Sequence, residues 1–150
     1  TRAKAHFSLP IIKDEEIHIS SEPATSKTVS SYIQQLVDAY HSENAQRIGA
    51  REVDLIADAI NTKSAEKIGL LVSDYRKTVT ALKMVLVPRD FVELHKKHLA
   101  IFQLLTSIFE GIENFQTDPL KAMAAIETYP QAVDMLQLWN SEFDAVISNY

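Results

Sequence analysis

The residues with the most chemical potential are His95 and His98, in the run His95-Lys96-Lys97-His98. Two imidazoles three positions apart project from one side of a helix, as the ligand pairs of bundle metal sites do. Closing a zinc or iron centre needs at least one more histidine or carboxylate from a facing helix. The carboxylate-rich version carries Glu-x-x-His on two helices. Here that spacing occurs at Glu15 to His18, in a stretch that reads as extended, where the two side chains share no helix face. His98 also lies among Leu94, Ile101 and Phe102 on an apolar stripe. A histidine in such a setting is more often a core residue bonded to a backbone or hydroxyl group. His95 and His98 are thus the candidate metal ligands, with a core role as the competing reading.

Other chemistries find less support. No Gly-x-Ser-x-Gly elbow positions a serine nucleophile, and the chain has no cysteine. Its three glycines, Gly49, Gly69 and Gly111, are isolated and cannot build a phosphate-cradling loop. Asp14, Glu15 and Glu16 sit in polar surroundings and read as solvated, while Glu142 and Asp144 flank Phe143 and so point away from a core. No catalytic signature emerges, no cofactor is expected, and the chain reads as a non-enzyme.

The elements that must position these residues are helices. Glycine and proline are too sparse, at three and five residues, for a sandwich or barrel with a turn every 8–12 residues or so. Residues 1–27 read instead as an extended arm: Phe7, Leu9 and Ile11 alternate with Ser8 and Pro10, and Ile17 and Ile19 flank His18. Six large apolar residues (Phe7, Leu9, Ile11, Ile12, Ile17 and Ile19) must lie against something, either the chain's own bundle or a neighbouring subunit. They are the candidate partner-binding residues.

Residues 28–150 read as the bundle domain. Val29, Tyr32, Ile33, Leu36, Val37 and Tyr40 mark a first amphipathic helix, which weakens at His41–Asn44 before a break at Gly49. A shorter helix follows with Val53, Ile56, Ala57 and Ile60 on one face. The next runs from near Ser64 and must stop before Pro88. Pro88 then opens the longest and most apolar helix, through Phe115, with an apolar arc wide enough for a central position. Asp118-Pro119 caps a short helix to about Thr128, and Tyr129-Pro130 opens the last, with Leu136, Trp139 or Asn140, and Phe143 in its stripe. The expected fold is all-α: an antiparallel up-down bundle of four long and two short helices with an extended N-terminal arm. Gly69 and Gly111, each costing about 1 kcal/mol inside a helix, require a close helix approach or a pocket. Tyr32, Tyr40, Tyr75 and Trp139 are candidates to line one.

Charge sets limits on partners. The net charge of −5 argues against nucleic-acid binding, which needs a basic surface. Residues 63–97 carry a net +4 and residues 110–150 a net −6. Neighbouring helices that offset one another explain this most simply, and contact with a charged partner or between molecules is the sharper alternative. No run approaches the 18 or so apolar residues of a membrane span. The start at Thr1 rather than Met is expected of a chain whose upstream segment has been removed, with room in that segment for a signal peptide or membrane anchor.

Leu9-Pro10-Ile11-Ile12, Val87-Pro88 with Leu94, His95, His98 and Leu99, and Asp118-Pro119-Leu120-Lys121-Ala122 with Tyr129 together resemble helical domains of ultra-small, reduced-genome bacteria of the candidate phyla. That resemblance implies an extracytoplasmic, membrane-anchored domain and no particular activity. The expected function is a non-enzymatic structural or protein-interaction module, with the arm and charged faces meeting a protein partner or a second copy. The alternative is an extracytoplasmic sensor bundle that holds a small ligand or metal between its helices.

Overall fold

The structure is a computed structural model that describes residues 7–40 and 50–150. It is mostly helical, as the apolar periodicity predicts. Helix α1 spans Ser26–Ala39, α2 Ala50–Thr62, α3 Glu66–Met84, α4 Val92–Glu113 and α5 Pro119–Ile147. The expected weakening at His41–Asn44 and break at Gly49 lie outside the described residues. No described helix is long and apolar enough to cross a membrane.

Local chemistry sets the helix ends. Thr25 caps α1, its hydroxyl accepting from the Thr28 N–H while the Thr28 hydroxyl accepts from the Thr25 N–H. Asp118 accepts from the Lys121 N–H ahead of Pro119 and opens α5. Lys63, in the left-handed region at φ 56°, ends α2. Pro88 precedes a short 3-10 turn, Arg89–Phe91, and α4 begins only after it.

Helix α4 is central: it packs along both α3 and α5, and its Leu99, Ile101, Phe102, Leu105, Ile108, Phe109 and Ile112 are buried. Gly111 permits the close approach of α5. A Cβ there would stand 3.2 Å from Ala125 Cβ and 3.0 Å from the Phe7 ring. At Gly69 a Cβ would meet the far end of the Glu113 side chain, so that helix contact is looser.

Three expectations need correction. The longest described helix is α5, with 29 residues, and not α4, with 22. Pro130 does not open a separate helix, because α5 runs through it without interruption. The reason is tertiary. Buried Ala122, Ala125, Tyr129, Ala132, Leu136, Trp139 and Phe143 alternate at three- and four-residue spacing straight across the proline, whose ring is exposed. Holding that face continuous against α4 outweighs the backbone bond lost at Pro130. In α2 the buried face is Glu52, Ile56 and Ala59, not Val53, Ile56, Ala57 and Ile60; Val53 is 52% exposed and Ile60 43%.

The arm lies on its own bundle. Ile12 and Ile17 are buried in the core and Phe7 packs against Gly111. His18–Ile19 forms a short strand, β1, paired in parallel with β2 at Leu86–Val87, and Lys96 of α4 forms an ion pair with Asp14. The uneven charge is partly offset within the chain: Arg76 pairs with Glu110 at 2.8 Å and Lys97 with Glu142 at 3.1 Å. Both pairs are solvent-exposed and contribute little to stability.

Candidate functional site

Tyr32 of α1 and Tyr40, the residue that follows its end, lie eight residues apart and reach two histidines of α4. The Tyr32 hydroxyl meets His95 Nδ1 at 2.8 Å, and His95 Nε2 meets the Leu82 carbonyl of α3 at 2.9 Å. A carbonyl only accepts, so Nε2 carries the proton of the neutral ring, Nδ1 accepts, and the Tyr32 hydroxyl donates. His98 Nε2 is hydrogen-bonded to the Tyr40 hydroxyl, while its Nδ1 is buried with no partner among the described residues. The His98 ring is stacked on Trp139 of α5, with centroids 3.7 Å apart and planes 9° from parallel. One buried imidazole thus touches both the C-cap of α1 and α5.

Burial decides the protonation states. It lowers His95 from the ordinary histidine range, an effect the Leu82 carbonyl partly opposes. His98 is pushed further down by burial and by neighbouring His95. Tyr32 and Tyr40 are raised by burial, so both phenols keep their protons. Both histidines are neutral at pH 7. Neutral imidazoles do bind metals, but both nitrogens of His95 are committed to hydrogen bonds. Among the described residues no third His, Cys, Asp or Glu joins the pair in a metal-holding group.

Beside this pair an open groove of about 570 Å³ runs between α1 and α5. Ile33, Leu36, Val37 and Tyr40 form one wall; Val133, Leu136, Gln137, Trp139, Asn140 and Phe143 form the other. Its volume is that of a small-ligand site, and its lining is mostly apolar and aromatic. The Trp139 N–H is already donated to the Leu94 carbonyl at 2.7 Å, and Phe143 stacks on Trp139 at 4.8 Å. Tyr40 and Trp139, expected to line a pocket, do so. Tyr32 is drawn instead to His95, and Tyr75 to a separate cluster around Glu52.

In that cluster the Glu52 carboxylate, only 1% exposed, accepts from the Tyr75 hydroxyl at 2.8 Å and the Tyr129 hydroxyl at 2.6 Å. It ties α2 to α3 and α5. The sequence reading passed over Glu52, yet its spacing of four and seven residues from Ile56 and Ala59 places it on their face.

The six candidate partner-binding residues divide. Phe7, Ile12 and Ile17 are occupied by the chain's own bundle, whereas Leu9, Ile11 and Ile19 are exposed, Ile11 at 89%. Leu9 to Ile12 border a second, shallower depression with Leu94, Lys96 and Lys97 of α4. No protein-family model, no curated protein and no solved structure matches this chain.

Proposed function

We propose that this chain is a non-enzymatic binding module, built as an up-down helical bundle, whose recognition surface is the groove between α1 and α5. One observation carries the reading: two amphipathic helices leave between them an apolar, aromatic-walled space of about 570 Å³ that no described side chain fills. The short connections at residues 63–65, 85–91 and 114–118 support antiparallel order for α2 to α5. The candidate-phyla resemblance supports a location outside the cytoplasm for such a module.

Trp139, the single tryptophan, lies in the groove wall and serves as an internal probe. An apolar dye titrated onto the chain is expected to bind with one-site stoichiometry and to quench or shift Trp139 emission. Val37→Glu places a charge in the groove from a position already 57% exposed. It should weaken dye binding at least about tenfold, through unpaired charge in an apolar site, with little loss of stability. Unaltered dye affinity in this variant refutes the groove assignment. A dimer in light scattering that Val37→Glu splits would put a second copy there instead of a ligand.

Exposed Ile11 with Leu9 supports a second reading, in which the outer edge of the arm meets a protein partner or another copy. Under it, Ile11→Asp turns an oligomer into a monomer at unchanged thermal midpoint. A chain that is monomeric with or without the substitution ends the self-association form of this reading.

A further inference from the structure

Resting on the groove as a binding site, we infer the chemical class of its ligand: an apolar molecule with an uncharged, hydrogen-bonding end, and not an anion such as a fatty acid. The argument starts from which polar groups remain to be offered. The Tyr40 hydroxyl is spent on His98 and the Trp139 N–H on the Leu94 carbonyl. That leaves the side-chain amides of Gln137 and Asn140, both exposed at the groove and three residues apart on one face of α5. Each amide donates and accepts, which matches a hydroxyl, an amide or a ketone.

Charge gives the second half. Among the described residues no Asp, Glu, Lys or Arg lines the groove, so an ionic end would shed water without a partner there. The walls beyond the lining sharpen the discrimination against anions. Residues 28–40 and 122–147 contain no lysine or arginine, while Asp38 and Asp134 stand next in sequence to Val37 and Val133. An anionic head near Val37 and Val133 therefore meets like charge and no lysine or arginine from these two stretches.

The test compares three probes that share a ten-carbon chain, decanol, decanoate and decylammonium, titrated at neutral pH with Trp139 emission as the readout. Decanol is expected to bind about tenfold or more tighter than decanoate, whose head suffers both desolvation and like charge. Its margin over decylammonium is narrower, because Asp38 and Asp134, outside the lining, offset the desolvation of that head only in part. Asp134→Lys, at an exposed position outside the lining, should raise decanoate affinity by about tenfold and leave decanol within about threefold, since it replaces like charge with the missing cation. If decanoate or decylammonium matches or exceeds decanol, the ligand class is wrong while the groove reading stands. If the dye binds but none of the three probes does, the ligand class is likewise overturned. If neither dye nor probes perturb Trp139, the groove reading falls with it.

Discussion

Replacing Glu52 with alanine is expected to lower the stability of the chain by about 3 kcal/mol, because it removes a buried acceptor on which two phenols converge. Tyr75 of α3 and Tyr129 of α5 both donate to this carboxylate, at 2.8 Å and 2.6 Å, and Glu52 itself belongs to the first turn of α2. The phenols are held from behind by packing: Tyr75 stacks on Phe109, and Phe109 meets Tyr129 edge-on. Neither ring can swing its hydroxyl to water without breaking that aromatic row. Glu52→Ala therefore takes away hydrogen bonds to two helices and leaves a cavity in the same place. Glu52→Gln keeps an acceptor oxygen and the volume, and should cost about half as much. Urea denaturation of the two variants checks the ordering. A Glu52→Ala chain within about 0.5 kcal/mol of the parent would mean that Glu52 and the two tyrosines contribute nothing net, as some buried polar groups do.

The helical class and most helix positions are legible because burial of an apolar stripe imposes a three-to-four-residue period that side chains cannot hide. The same period runs through Pro130, from Ala122 to Phe143, so the continuity of α5 was written in the spacing; the local proline rule concealed it. Glu52 was hidden for the opposite reason. A charged residue on an apolar face reads as a solvated edge until its partners are known, and Tyr75 and Tyr129 lie 23 and 77 residues away. The arm shows a third kind of limit. Alternation at Ile17 to Ile19 forecast extended chain, but its pairing with Leu86–Val87 depends on where α3 ends in space. The groove needed the structure as well, since the same aromatic spacing serves a filled core or an open wall. Tyr32 and Tyr40 share one apolar period in the sequence, yet Tyr40 falls just past the end of α1 and only it reaches the groove.

Acid should unfold this chain through its histidine pair, and His98→Leu should blunt the effect. In the folded chain burial holds both imidazoles below the ordinary range near 6.5, His98 further than His95. As pH falls through about 6.5 the unfolded chain takes up protons that the folded chain refuses, so stability declines from that pH downward and is complete above it. Each histidine contributes a slope of at most about 1.4 kcal/mol per pH unit, which ends when its own folded value is reached. His95 therefore stops contributing first, and His98 carries the loss to more acid pH. At neutral pH His98→Leu removes an Nδ1 with no partner among the described residues but also the partner of the Tyr40 hydroxyl, so the variant should lie within about 1 kcal/mol of the parent. By about pH 5, some 1.5 units lower, it should be the more stable of the two by about 1–2 kcal/mol. His95→Gln makes the control, because it keeps polar groups for Tyr32 and the Leu82 carbonyl while removing one titration. Urea midpoints across this pH range, followed by helical circular dichroism, give the comparison free of the carboxylate titrations common to parent and variant. Parallel pH profiles for parent and His98→Leu would show that His98 is protonated as readily inside the bundle as outside it. That would mean α1 already parts from α4 in the folded chain and lets water reach the buried nitrogen.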